Sequence, residues 1–377
     1  MKGFAEIESY ITQIDPGEIV SRVDAFLEET KIWAEAGQVS AQPSLNQLSG
    51  QSDRALAVAF QALTPWVSFV EQRQPGHMAG KKKIAHMKEM IKEVPEMTAF
   101  LGLDPKEATV LKLLSLHDVG RPPEACLRWN SQETGRRHGV LSAWFLVDNL
   151  VLKELPPDIQ YIILYAAYWH SEKTVPSPEG ASQLSEDAYR FCYILRDLDK
   201  WEFLSNPVFR APEGILSEVQ AHYLSPQLNT LVGSQPEIRD QCLRFVAQNL
   251  VLGNSAQSQE HDFPERFPLE LKARLVEIAS RGFDELSWAA FSTQDPVDYG
   301  RIKYSWATYL LAQLAQLFDI HERGVLSQIW ENREAVLVPK LALMARTEPD
   351  KTTRATETLT DFFSTRLEAP FLPPLMT

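Results

Sequence analysis

The stretch from Lys81 to Leu204 constrains the fold more than any other. Its apolar residues recur three and four positions apart, in one run after another, with short Pro/Gly breaks between them. That spacing lines one face of an α-helix, whereas a half-buried strand needs strict alternation. Alternating runs are scarce, and the chain carries no internal repeat, no heptad run, no G-x-G-x-x-G and no phosphate-binding loop motif. The expected fold is all-α.

The flanks read the same way. Asp15 and Pro16 mark a helix start and Gly37 its end. Gln38–Asp53 is polar and rich in Gln and Ser, so a loop or linker is expected there. From Arg54 the helical pattern resumes, to be kinked or broken at Pro65. A flexible break is expected around 253–268. "DPVDYGRIKYSWATYLLAQLAQLFDI" then predicts an Asp-Pro cap and a long amphipathic helix, and the closing "APFLPPLMT" excludes regular helix.

Composition narrows the function classes. With 377 residues and 44% apolar content, the chain can bury a sizeable core. No apolar run approaches the roughly 18 residues a membrane span needs. The acidic N-terminus lacks the apolar segment of an export signal, so a cytoplasmic location is expected. Cys126, Cys192 and Cys242 form no C-x-x-C pair, which points away from a disulfide framework or thiolate zinc site. A net charge of −13 disfavours nucleic acid and anionic membranes as partners. A small anion held by local cations remains compatible with it.

Polar groups interrupt the apolar stripes at specific places. Val110, Leu113 and Leu114 lead to His117, with Asp118 beside it. Ile159, Ile162, Ile163 and Ala166 lead to His170. His138 falls on a face with Leu141, Phe145 and Leu152, and His86 on one with Met90 and Met97. Ala188, Phe191, Cys192 and Leu195 lead to Asp199, while Asp197 lies about 200° round the axis and points elsewhere. One histidine on an apolar face is ordinarily satisfied by a backbone carbonyl. Four imidazoles and two carboxylates converging in one bundle would make a metal site.

In this order, His86 … His117-Asp118 … His138 … His170 … Asp199, the residues resemble the HD-domain superfamily of metal-dependent phosphohydrolases. "LLSLHDVGRP" resembles the family's HD-x-G-[KR] helix end, "YAAYWHSE" its helix ending in a ligand histidine, and "ILRDLDKWEFL" its closing R-D-A-D-K segment. The resemblance covers about Lys81–Leu204. It implies an HD-domain helical bundle over 71–215, with an N-terminal helical extension over 1–70 and a C-terminal helical region over 216–377 packing on it. It implies that His86, His117, Asp118 and Asp199 hold one divalent transition metal ion, and that His138 and His170 complete a second site with Asp118 as the bridge. Fe or Mn is the expected metal, with Zn as the third choice. His77 is the rival first ligand, and His86 is preferred because it lies within a helical stripe.

The implied reaction is cleavage of a phosphoester of a small phosphorylated substrate, a nucleotide foremost, by a metal-activated hydroxide. Asp118 and Arg121 would be the catalytic residues, with Arg121, Arg136, Arg137 and Lys200 binding substrate phosphate. Arg121 stands where the family often has lysine, so it would clamp an anion and not supply a proton. Gly120 is expected to allow a sharp turn, and Pro122 and Pro123 to stop the helix. Lys81–Lys83 read as a solvated helix face or as cations for the substrate phosphate, and Trp129, Trp144 and Trp169 as core or as a stacking surface. Two other classes remain open on these residues: a mixed-valence di-iron oxygenase built on the same ligands, and a non-catalytic sensor of a phosphorylated ligand. Oligomeric state is not legible.

Overall fold

The structure, a computed structural model, describes residues 7, 15–36, 43–73, 80–81, 83–127, 138–172, 175–176, 182–205, 212–251, 263–264, 266–295 and 305–368. Among these residues every regular element is helical and there is no strand, so the fold is all-α. None of the helices is long and apolar enough to cross a membrane. The chain forms two compact units, Met1–Arg196 and Asp197–Thr377, and the boundary falls inside one unbroken helix.

The first unit contains α1 (Pro16–Glu35), α2 (Leu45–Arg73), α3 (Lys83–Leu101), α4 (Pro105–Leu114), α5 (Arg121–Leu127), α6 (Gly139–Asp148) and α7 (Pro157–Trp169). It also holds the first part of α8 (Gln183–Ser205). Local chemistry sets several starts. The Asp15 carboxylate accepts the Glu18 N–H ahead of Pro16, and Asp104 and Glu107 form a reciprocal capping box ahead of Pro105. The α1, α6 and α7 helices pack on one another, while α4 packs on α2, α3 and α7.

One expectation for this unit is corrected, and of the kink or break expected at Pro65 the break is excluded. The segment expected to be a loop to Asp53 turns helical at Leu45. There the Ser44 hydroxyl accepts the Gln47 N–H (3.4 Å) and the Gln47 carbonyl accepts the Ser44 N–H (2.8 Å), so "SLNQ" is itself a capping box. The helix then runs through Pro65 unbroken. Leu63, Trp66, Val67, Phe69 and Val70 are all buried on either side of the proline. Their burial offsets the roughly 3 kcal/mol that an interior proline costs.

The second unit contains α9 (Pro212–His222), α10 (Pro226–Ser234), α11 (Pro236–Val246), α12 (Leu269–Ser280), α13 (Glu285–Ser292), α14 (Trp306–Ala315), α15 (Arg323–Glu331), α16 (Arg333–Val336), α17 (Val338–Ala345) and α18 (Pro349–Leu367). The helix expected to be long and amphipathic is instead short and buried on every side, Trp306 through Ala315. Ser305 caps it, not an Asp-Pro pair, and α12, α13 and α17 surround it. Its polar residues Thr308 and Gln313 are buried by this packing. Asp295 is described, but the residues after it up to 304, most of the 253–268 break and the last nine residues lie outside the described set.

Asp197 belongs to this unit's architecture. Its carboxylate is fully buried, and Oδ2 accepts the backbone N–H groups of His321 (2.8 Å) and Glu322 (2.7 Å). These lie at the start of α15, whose own N-cap residue makes no side-chain cap, so Asp197 supplies it from a distant helix. Hydrogen bonds to a buried charge contribute about 1.5–3 kcal/mol. Asp197→Asn should therefore lower stability by about 2 kcal/mol in a thermal melt while leaving metal content unchanged. An unchanged melting temperature, or a loss of bound metal, would contradict this assignment.

Candidate metal centre

Histidines and carboxylates from five places in the chain converge. His86 lies in the first turns of α3, and His117 and Asp118 form the end of a single 3-10 turn, Ser115–Asp118, that continues α4. His138 immediately precedes α6, and His170 immediately follows α7. Asp199 sits on α8, three residues past the unit boundary on the same helix. The structure brings together the residues to which the apolar stripes led, with one geometric correction. Most of these groups stand at helix ends, and Leu152, expected on the His138 face, lies beyond the end of α6 at Asp148. Helix ends can be aimed at a common point more easily than helix flanks, which are held about 8–10 Å apart by the side chains between them.

Two glycines allow the ends to meet. A Cβ on Gly120 would lie 2.3 Å from the Ser142 backbone nitrogen, and one on Gly139 would lie 2.5 Å from the Tyr168 carbonyl oxygen. Gly120 thus serves a close approach of the 3-10 turn to α6, where its N–H donates to Ser142 Oγ (3.0 Å). The expectation that Pro122 and Pro123 stop a helix is overturned: they open α5, which begins at Arg121. In a first turn their missing N–H groups cost no intrahelical bond.

The donor atoms fall into two sets that share Asp118. One is His86, His117, Asp118 and Asp199, the other Asp118, His138 and His170, with the ligand atoms in each within 4.8 Å of one another. Asp118 Oδ2 lies 3.2 Å from His117 Nε2 and 3.7 Å from His86 Nε2. Its other oxygen lies 3.2 Å from His138 Nε2 and 3.9 Å from His170 Nε2. The His138 and His170 Nε2 atoms are 2.9 Å apart. Two ligands about 2.1 Å from one ion, 90–109° apart, stand roughly 3.0–3.4 Å from each other. The closer pairs already match that spacing. This buried His/Asp group could hold a metal ion, and the residues fit one.

The surroundings prepare the ligands. His117 Nδ1 faces the Leu114 carbonyl (3.0 Å), and His170 Nδ1 faces the Ala167 carbonyl (2.8 Å). A proton held on Nδ1 by a carbonyl leaves Nε2 with its lone pair turned into the site. Burial, joined by the Arg121 guanidinium, depresses the His138 pKa and keeps that ring neutral. Burial alone would raise the Asp118 pKa. The charge of the Lys83 ammonium beside it outweighs burial and holds the carboxyl well below the usual range, so it is ionised.

The cations expected around the site divide. Arg121 lies beside it, with Nε 3.6 Å from Asp118 Oδ1, Nη1 3.1 Å from Glu124 Oε2 and its side chain 39% exposed. Lys200 contacts Asp319 Oδ2 (2.8 Å) within the second unit, one residue along the chain from Asp199. Arg136, Arg137, Trp129 and the rival ligand His77 lie outside the described residues. Trp144 is core, packed edge-on against Trp66. Sequence reasoning missed Lys83, whose ammonium contacts Asp118 Oδ2 directly. The signal was its spacing three residues before His86, hidden by the neighbouring lysines.

No known protein family, no curated protein and no solved structure matches the chain.

Proposed function

We propose that the chain is a metal-dependent phosphohydrolase of the HD-domain kind, with two divalent ions, Fe or Mn, acting on a small phosphorylated substrate such as a nucleotide. The observation that supports this most is the sharing of one buried carboxylate, Asp118, between two ligand sets, one at each oxygen. Bound ions would supply positive charge for phosphoryl oxygens and acidify a coordinated water. The chain's own residues do the rest. His117 and His170 are oriented by main-chain carbonyls, and Asp118 is held between the sets by contacts at both oxygens. Arg121, partly exposed and steered by Glu124, presents a guanidinium beside Asp118 that can bind two phosphate oxygens at once.

The test is metal analysis combined with phosphate release across a panel of nucleotides and simple phosphoesters in the presence of Mn2+ or Fe2+. The expected result is release that depends on metal and vanishes in His117→Ala. Metal-loaded protein that releases no phosphate but consumes oxygen with an alcohol substrate would overturn the reading in favour of an oxygenase. Arg121→Ala should lower kcat/KM by roughly 2–4 kcal/mol of transition-state stabilisation with metal content unchanged. Arg121→Lys should lose less. A variant that loses melting temperature and keeps its kcat would reduce Arg121 to a structural partner of Glu124.

A further inference from the structure

The Lys83 ammonium meets the same oxygen, Asp118 Oδ2, that faces His117 Nε2 at 3.2 Å and His86 Nε2 at 3.7 Å. This lysine is not part of the solvated face that its neighbour Lys81 belongs to. Lys81 is exposed, whereas the Lys83 side chain is 19% exposed and the Asp118 side chain it contacts 3%. Lys83 and His86 stand three residues apart on α3, so both reach the 3-10 turn from one face of the helix. A buried carboxylate without a counter-charge is strongly destabilising. A second cation of higher charge on the same oxygen would repel the ammonium at contact distance.

We propose that Lys83 is a built-in competitor for the metal: its ammonium and a divalent ion take turns neutralising Asp118 Oδ2. The proposal rests on the metal-centre reading above and adds to it a residue that sets the affinity. Lys83 keeps the buried carboxylate compensated when metal is scarce, and it must swing out of the site before an ion can bind. The apparent dissociation constant is then the intrinsic one divided by the fraction of molecules in which the lysine has left. Occupancy becomes a function of free metal concentration over a range that Lys83, and not the ligands alone, determines.

Calorimetric titration of Mn2+ into chelator-stripped, full-length protein tests this. Lys83→Met keeps the side-chain length and removes the charge, and its Kd for Mn2+ should fall by about tenfold or more. Its melting temperature should drop without Mn2+ and return to that of the native protein at saturating Mn2+. Lys83→Arg retains a competing cation, so its Kd should stay within about threefold of native. Equal or weaker Mn2+ binding by Lys83→Met overturns the proposal and leaves the metal centre standing. If the stripped methionine variant does not stay folded, it is prepared with Mn2+ bound and the rate of stripping by chelator is compared with that of the native protein. Slower release supports the proposal, and equal or faster release overturns it. A native chain that binds neither Mn2+ nor Fe2+ nor Zn2+ overturns the metal-centre reading, and this proposal with it.

Discussion

Asp118→Asn should leave a folded protein that no longer retains metal at either position. Asparagine matches aspartate in shape, so the 3-10 turn and its contact with α6 need not move. The amide carries no charge and offers one weak ligand oxygen where the carboxylate offered two. Asp118 alone belongs to both donor sets, whereas His170 belongs to one. Loss of partners that merely orient a ligand costs about 10–100-fold in metal affinity, so loss of a ligand shared by both sets should cost more. His170→Ala should by contrast keep the set made by His86, His117, Asp118 and Asp199. Elemental analysis of both variants, purified without chelator, decides the point. Asp118→Asn with its full metal content would refute the bridging role, and His170→Ala with none would refute the division into two sets. The metal should also stabilise the native fold, by about 2.7 kcal/mol when present at a hundred times its Kd. Adding Mn2+ should therefore raise the melting temperature of the native protein and leave that of Asp118→Asn unchanged.

The clustered residues were legible because burying an imidazole or a carboxylate is costly, and five apolar stripes each carried a polar group that had to have a partner. The all-α class was legible for the same reason, from apolar spacing. What the stripes could not convey was orientation. His138 was expected on a helix face with Leu141, Phe145 and Leu152 and is found as the residue that precedes α6, a distinction that depends on where helices start within a turn. Ser44 and Gln47 carried a readable capping signal, but the polar composition around them argued for a loop. Lys83 was missed because a run of lysines looks the same whether solvent or a buried aspartate receives its last member. The burial of Trp306–Ala315 and the role of Asp197 in capping α15 depend on contacts between residues far apart in sequence, which periodicity does not encode.

Gly120→Ala should be among the most destabilising single-methyl changes available to the first unit. The new Cβ would lie 2.3 Å from the Ser142 nitrogen, 2.6 Å from the Leu141 carbonyl carbon and 2.8 Å from Ser142 Oγ. Two of these are backbone atoms of α6, which has Val140–Leu146 buried around them and cannot yield without shifting the helix. Overpacking of this kind costs about 1–3 kcal/mol when side chains can adjust, so the upper end or beyond is expected here. At roughly 2–4 °C per kcal/mol for a unit of this size, the melting temperature should fall by about 6–12 °C. Gly233→Ala is the control. That glycine lies in α10 with nothing within 4 Å of its Cβ position, so alanine there should be neutral or stabilise by about 0.4–1 kcal/mol. Adding Ser142→Ala to Gly120→Ala removes the hydroxyl but leaves the amide nitrogen in place, so the double variant should not recover. Because Gly120 lies only two residues after Asp118, forcing the turn away from α6 also pulls Asp118 from His138. Mn2+ affinity should therefore fall together with the melting temperature. A Gly120→Ala protein that melts like the native chain would show that the turn and α6 are not in close contact, and the convergence of the two ligand sets would lose its structural basis.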